Sequence, residues 1–158
     1  MNRKLTKFLD TSFVVRYIAG IPEDQADVAA HLIDHSDSLI VSGVALVETA
    51  FVLRSVYSVP REEIVDGLVS FVRKDNIETY GMDKGLVLQG LLMCRPSGQV
   101  SFGDALIWGE ARSSGGDTVY SFDQRFPASG IGVWTELYRA LDQHYLVLDG
   151  GAGEGAFG

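Results

Sequence analysis

The sequence predicts an α/β fold in which a central, mostly parallel sheet of about five strands lies between helices on both faces. Short runs rich in β-branched residues alternate along the chain with segments of helical periodicity, an order typical of parallel sheets. The 158 residues can form one hydrophobic core, and 46% are hydrophobic and 22% charged, as in ordinary globular proteins. A single three-layer domain is therefore expected.

Four elements are predicted before residue 42. They are, in order, a strand at 5–9 ending at Asp10, a helix at 13–18 opened by Thr11 and stopped by Gly20, a helix at 24–35, and a strand at 38–41. Helical spacing places Val28, Leu32 and Ile33 on the inner face of the second helix.

The next helix, from Ser42 to about Ser58, is the most apolar stretch of the chain. Ser42 is a suitable N-cap, and only Glu48 and Thr49 interrupt the apolar residues between Val44 and Leu53. A helix that is apolar on every side is expected to be buried. Glu48 would then need a cation or strong hydrogen-bond donors, because an isolated buried carboxylate is costly.

The second half repeats the alternation. Pro60 starts a helix with Ile64, Leu68, Phe71 and Val72 at helical spacing, and Ser101 caps a later one. The remaining elements are a weak strand at 76–80, a helix at 86–93, a turn at 96–98, a helix at 102–112, and strands at 118–121 and 131–134.

The C-terminal part is expected to be an extension. Residues 1–135 form the predicted domain. Residues 136–158 form the extension, in which a helix is predicted at 135–144 and five of the last ten residues are glycine. The single cysteine, Cys94, lies in an apolar run and is expected to be a packed thiol in a reducing compartment. No apolar run approaches membrane-spanning length, so a cytoplasmic protein is expected.

The net charge of −8 weighs against a nucleic-acid partner unless some acids serve another purpose. Four acids stand near arginines, since Arg16, Arg54, Arg112 and Arg125 each follow one of them within eight positions. Singly these arginines are explained as solvated surface residues. Together they are candidates for a basic rim that binds substrate phosphates.

The four acids are Asp10, Glu48, Asp104 and Asp123. Asp10 and Asp123 follow predicted strands, Asp104 lies in the first turn of a helix, and Glu48 lies about a turn and a half into a helix that follows a strand. In an open parallel sheet, ligands bind beyond the carboxyl ends of the strands, so all four can point into one crevice. Each has an alternative role: Asp10 as a helix cap, Asp104 in a capping box with Ser101, Asp123 in a turn, and Glu48 in a buried ion pair.

Converging carboxylates repel one another unless a cation lies between them. Oxygen ligands suit Mg²⁺ or Mn²⁺, and such a site hydrolyses phosphodiesters by activating a water and neutralising charge on the phosphate. The sequence therefore predicts a metal-dependent phosphodiesterase whose catalytic and metal-binding residues are these four acids.

Four segments in this order resemble the signature blocks of the PIN domain. They are Phe8-Leu-Asp-Thr-Ser12, Val47-Glu-Thr-Ala-Phe-Val-Leu-Arg54, Phe102-Gly-Asp-Ala-Leu-Ile107 and Tyr120-Ser-Phe-Asp-Gln-Arg-Phe126. The resemblance spans residues 5 to about 134 and is strongest to the VapC-type toxins of bacterial toxin–antitoxin pairs. It implies a PIN-like three-layer sandwich and a Mg²⁺- or Mn²⁺-dependent endoribonuclease.

The resemblance also implies roles for individual residues. The acidic quartet of the family corresponds to Asp10, Glu48, Asp104 and Asp123, and Thr11 and Ser121 would hold metal-bound water or a carboxylate. Ser12, where many relatives carry asparagine, joins these supporting residues. Family membership further implies a homodimer silenced by an antitoxin protein, with the helices at 64–71 or 86–93 as candidate dimer surfaces.

Two further possibilities remain open at this stage. Trp108, one turn after Asp104, belongs either to the core or to the wall of an RNA groove, where it would stack on a base. The substrate is expected to be single-stranded or loop RNA. The alternatives are a DNA nuclease using the same acids and a catalytically silent module that binds a partner protein.

Overall fold

The computed structural model of the chain describes residues 6–96 and 99–134, which contain six helices and four strands. The helices are α1 (Thr11–Ala19), α2 (Glu23–His35), α3 (Gly43–Ser55), α4 (Arg61–Val72), α5 (Lys84–Met93) and α6 (Phe102–Ser113). The strands are β1 (Leu39–Val41), β2 (Ile77–Thr79), β3 (Thr118–Tyr120) and β4 (Gly132–Trp134). The predicted helix at 135–144, the extension at 136–158 and part of the turn at 96–98 lie outside the described residues.

Side-chain caps mark the starts of four helices: Asp83 caps α5, and the sequence predicted the other three. The Asp10 carboxylate accepts from the Ser12 amide at the start of α1. Ser42 accepts from the Ala45 amide at the start of α3, and Ser101 accepts from the Asp104 amide at the start of α6. Each cap satisfies an amide that has no partner within its helix. The predicted helix starts are therefore confirmed here.

The predicted sheet of about five strands is wrong for the described part of the chain. Two separate two-stranded sheets form instead, with β1 parallel to β2 and β3 parallel to β4. The predicted strand at 5–9 is reduced to a single parallel bridge between Phe8 and Ile40. β-propensity locates the short strand segments, but the packing of the helices decides which of these segments pair. Strands of three residues also form few backbone hydrogen bonds with a neighbouring strand.

Helix α2 turns a different face to the core than its spacing predicted. Ala26, Ala29 and Ile33 are buried, whereas Val28 is 60% exposed and Leu32 38% exposed. The two alanines and Ile33 take the core-facing positions of α2, so the larger Val28 and Leu32 lie toward solvent. The prediction was therefore correct only for Ile33.

The expectation that α3 is buried on every side is also wrong. Its buried residues face α1, α4 and α6, while Val44 and Phe51 are 69% and 70% exposed and Glu48 is exposed between them. An apolar pattern around the whole helix shows that burial would be tolerated, but it does not show which faces a neighbour covers. Because Glu48 is exposed, its carboxylate is not desolvated and needs no buried cation.

The helices that follow form most of the core. In α4 the predicted apolar positions Ile64, Leu68, Phe71 and Val72 are all buried, as their spacing predicts. The dimer surface itself stays a prediction. Helices α5 and α6 approach closely at Gly90, where an added Cβ would lie 2.8 Å from the Ala105 carbonyl oxygen. This contact places α6, and with it Asp104, against the body of the domain.

Among the described residues, no helix combines the length and the apolar character needed to cross a membrane.

Candidate active site

Asp10 stands at the junction between the bridge at Phe8 and α1. Its Oδ2 atom accepts a bond of 2.7 Å from the Ser12 hydroxyl and one of 3.3 Å from the Ser12 amide. These bonds, led by the hydroxyl, hold the pKa of the Asp10 carboxyl below its ordinary value. The capping alternative therefore describes this residue correctly, and the same contacts fix an ionised carboxylate at the surface.

Glu48 is joined to the same region by Thr11. The Thr11 hydroxyl donates to Glu48 Oε2 across 2.7 Å, linking the first turn of α1 to the middle of α3. The residue directly after Asp10 is thus bonded to Glu48, although the two acids lie far apart in the chain. The alternative role of Glu48 was a buried ion pair with an arginine. Among the residues that the structure describes, Glu48 forms no such ion pair.

Asp104 is half-buried in the first turn of α6. Its backbone amide donates a hydrogen bond to the Ser101 hydroxyl. The start of α6 borders α3: Glu48 and Gly103 line one groove of about 260 Å³, together with Val47 and Ile107. Asp104 itself is not part of the wall of this groove. The structure therefore bonds Glu48 to Thr11, the residue after Asp10, and places Gly103, the residue before Asp104, in the same groove as Glu48.

Asp123 follows β3 and is engaged by Arg125. The Arg125 guanidinium donates to both carboxylate oxygens of Asp123 at 3.1 Å, and its backbone amide donates to Oδ1 at 2.8 Å. The guanidinium keeps the pKa of Asp123 below its usual range. Asp104 adds to the field at Arg125, whose own pKa is raised chiefly by the bond to Asp123. Arg125 is therefore bonded to the fourth acid.

The donor set suits a hydrated hard cation. Such ions are commonly held by one or two carboxylates and several waters, and the bonds above engage one oxygen each of Asp10 and Glu48, which leaves the second for a ligand. Asp123 fits less well, because Arg125 occupies both of its oxygens. Within the described ranges, no three acidic, histidine or cysteine side chains already stand at metal-binding distances. The quartet as a ligand set stays a prediction.

The four candidate arginines differ in their surroundings. Arg16 is half-buried and held by Gln25 and Tyr57, and Arg54 is exposed on the last turn of α3. Arg112 lies at the far end of α6 from Asp104, where it donates to the Ser129 carbonyl and lies over the Trp108 ring. Its contacts anchor the 126–131 loop to α6, so the structure gives it a local packing role.

Trp108 belongs to the core. It is fully buried, packs with Phe126 and Ile131, and donates its indole N–H to the Ser129 carbonyl. The alternative of an RNA-stacking surface is thereby excluded for this residue. Ser121 accepts from the Asp123 amide, so it orders the loop that carries the fourth acid.

Sequence reasoning missed Arg61. Its guanidinium donates to the carbonyls of Cys94, at the end of α5, and Val100, just before α6, and it stacks on Phe102. Arg61 thus fixes the entry to the helix that carries Asp104. No motif or periodicity marks this residue, because its partners lie 33 and 39 positions away.

Comparison with known proteins identifies one family. The PIN domain profile matches residues 7–130, which is more than three quarters of the chain and includes all four acids. Among curated proteins, none is significantly similar in sequence to this chain.

Proposed function

Because the chain belongs to the PIN domain family, a superfamily of nucleases that typically use divalent metal ions, we propose that it is a Mg²⁺- or Mn²⁺-dependent endoribonuclease. The observation that carries the proposal is the hydrogen bond between Thr11 and Glu48, which joins two of the family's signature segments. The groove shared by Glu48 and Gly103 adds the third segment.

In this proposal Asp10, Glu48 and Asp104 hold the ion. When bound, the ion supplies positive charge that neutralises the phosphate and lowers the pKa of a water. Thr11 holds the Glu48 carboxylate in one orientation, and Ser12 does the same for Asp10. One carboxylate of the set accepts the proton of the attacking water, and hydrolysis breaks one phosphodiester bond of the RNA.

The arginines serve the substrate. Arg54 and Arg125 are proposed to bind RNA phosphates, since each carries a charged guanidinium and follows one of the acids within eight positions of the chain. Single-stranded or loop RNA is the expected substrate, because a splayed strand reaches a crevice that a duplex does not. Arg125 would exchange its bond with Asp123 for a bond to phosphate when RNA binds.

We further propose that the protein is the toxin of a type II toxin–antitoxin pair, acts in the cytoplasm, forms a homodimer and is silenced by an antitoxin protein. This rests on the resemblance of the four segments to VapC-type toxins. The exposed apolar residues Val44, Phe51 and Ile107 on α3 and α6 are the surface that such partners would cover.

One observation favours a second candidate. The ion pair between Asp123 and Arg125 neutralises the fourth acid without a metal, as expected of a silent module that binds a partner protein. Such a module would cleave no nucleic acid and bind no Mn²⁺ at the acidic residues.

A cleavage assay separates these possibilities. Single-stranded RNA and DNA oligonucleotides of matched sequence are incubated with the protein in Mg²⁺, Mn²⁺ or EDTA. We expect metal-dependent cleavage of RNA that is lost in Asp10→Asn and Asp104→Asn and kept in Asp66→Asn, whose exposed carboxylate pairs with Arg95. Equal cleavage by all variants would identify a contaminant, and preferential cleavage of DNA would support the DNA nuclease.

A further inference from the structure

We propose that the depression between α1 and α2 binds a nucleobase of the substrate strand and prefers guanine. Its volume is about 320 Å³, and its wall consists of Ser12, Phe13, Arg16, Asp24, Gln25, Val28 and Ala29. The inference rests on the proposed ribonuclease function and specifies the substrate at that site. A depression of this size lies within the range of small-molecule sites.

The position of the depression connects it to the acids. Ser12 belongs to its wall, and the Ser12 hydroxyl donates to the Asp10 carboxylate at 2.7 Å. A strand whose scissile phosphate lies at Asp10 therefore carries an adjacent base to the mouth of this depression. The pocket and the proposed cleavage site share one residue.

The walls are apolar where the faces of a base would lie. Phe13 is half-buried and Ala29 is buried. Val28 is 60% exposed, so an apolar side chain is left open to solvent at this wall. Proteins that recognise single-stranded RNA stack unpaired bases on aromatic side chains. A base inserted here would cover Val28 and contact the ring of Phe13.

Arg16 provides a fixed hydrogen-bond donor at the wall. Its Nε atom donates to Gln25 Oε1 at 2.7 Å and its Nη1 atom to the Tyr57 hydroxyl at 2.5 Å. Because two partners hold the guanidinium, little side-chain entropy remains to be lost on binding. Arginine is the side chain that most often recognises the O6 and N7 acceptors of guanine.

Asp24 provides the complementary acceptor. An ionised carboxylate only accepts hydrogen bonds, and guanine presents two adjacent donors, N1–H and N2–H, on its Watson–Crick edge. Adenine, cytosine and uracil each place an acceptor next to a donor on that edge, so a carboxylate facing them meets a lone pair. Asp24 beside Arg16 therefore matches guanine and disfavours the other bases.

A simpler explanation of Asp24 is that an acid stabilises the first turn of α2 through the helix dipole. Glu23 occupies the same turn and is equally exposed, but it is not part of the wall of the depression. Glu23→Gln is therefore the matched control for Asp24→Asn, because both changes remove one charge from the same helix end.

Titration of the full-length protein with guanosine 5′-monophosphate, followed by amide chemical shifts, tests the pocket without any cleavage. We expect shifts at Ser12, Phe13, Val28 and Ala29, and binding roughly tenfold tighter than for the other three monophosphates, as one bidentate contact provides. Asp24→Asn should abolish the preference and Glu23→Gln should keep it. Absence of these shifts, or an unchanged preference in Asp24→Asn, would overturn the proposal.

A second pair of variants tests occupancy of the pocket. Val28→Arg should fill the depression and remove the shifts, whereas Leu92→Arg, at a site 51% exposed on α5, should not. Thermal melts confirm that both variants fold. Unchanged nucleotide binding in a folded Val28→Arg protein would place the base elsewhere and overturn the proposal.

Cleavage of RNAs that differ in one base separates this inference from the ribonuclease function itself. Wild type should cleave fastest with guanine next to the broken bond, and Asp24→Asn should lose that preference while still cleaving. RNA cleavage with no base preference would overturn the pocket alone. Selective nucleotide binding without any RNA cleavage would overturn the ribonuclease function and leave the pocket standing.

Discussion

Thr11 and Glu48 lie 37 positions apart in the chain, and a hydrogen bond of 2.7 Å joins the hydroxyl of one to the carboxylate of the other. This bond ties α1 to α3 at the point where the first two signature segments of the family meet. The exposed Glu48 carboxylate is thereby held against Thr11, the residue that follows Asp10.

Thr11→Val removes this donor while keeping the shape of the side chain. We expect RNA cleavage and Mn²⁺ affinity to fall roughly 10- to 100-fold, the usual effect of losing a partner that orients a metal ligand. Thr11→Ser should retain most of both. Steady-state kinetics and calorimetric titration measure the two effects, and a fully active Thr11→Val protein would show that the bond has no functional role.

Arg61 is expected to stabilise the fold and the placement of α6. Arg61→Met leaves the carbonyls of Cys94 and Val100 without their donor, and we expect the free energy of unfolding to fall by about 2 kcal/mol or more. The loss should be smaller in Arg61→Lys, because an ammonium can still donate to one of the two carbonyls, although it does not span both. Urea denaturation measures the change. Arg73→Met, at an exposed position, is the control and should change stability by less than about 0.5 kcal/mol.

Gly90 is expected to be required for the contact between α5 and α6. Gly90→Ala places a methyl group 2.8 Å from the backbone oxygen of Ala105. The resulting strain should exceed the gain in helix propensity and lower the free energy of unfolding by about 1–3 kcal/mol. In Gly103→Ala the nearest atom is Ser101 Oγ at 3.8 Å, so that variant should be at least as stable as wild type. Equal melting temperatures for wild type and Gly90→Ala would contradict the close contact.

Cys94 is expected to be inert while the protein is folded. Burial raises the pKa of its thiol from 9.0 to about 11, so the thiolate fraction at pH 8 falls from about 10% to about 0.1%. Alkylation by iodoacetamide should therefore be slow in native protein and fast in urea. Cys94→Ala is the blank for this assay, and rapid native labelling at pH 8 would contradict the burial.

The same shift makes stability depend on pH in a defined direction. Above pH 9 the unfolded chain loses the thiol proton while the folded protein keeps it until about pH 11. Since the unfolded state then binds fewer protons, the contribution of Cys94 to stability falls as the pH rises through this window. Cys94→Ala should show a flatter stability profile between pH 9 and 11.

Local chemistry accounts for what the sequence could predict. The caps at Asp10, Ser42 and Ser101 depend on neighbours two or three positions away, so their spacing identifies the helix starts correctly. The buried face of α4 follows from its periodicity for the same reason. These features locate Asp10 and Asp104 at helix starts from the sequence alone.

Long-range packing explains what could not be predicted. The exposure of Glu48 depends on which faces of α3 its neighbours cover, and the splitting of the sheet depends on which three-residue strands the helices bring together. The partners of Arg16 and Arg61 lie up to 41 positions away, where no pattern marks them. The Asp123–Arg125 pair is local, but its competition with a metal becomes evident only from the geometry.

The central claim is that Asp10, Glu48 and Asp104 bind one divalent cation together. Electron paramagnetic resonance of free Mn²⁺, titrated with the full-length protein, measures this without depending on a substrate. Wild type and Asp66→Asn should bind Mn²⁺ equally, and Asp10→Asn, Glu48→Gln and Asp104→Asn should each weaken binding at least about tenfold. Mn²⁺ binding that is the same in all five proteins, or absent from wild type, would contradict the account.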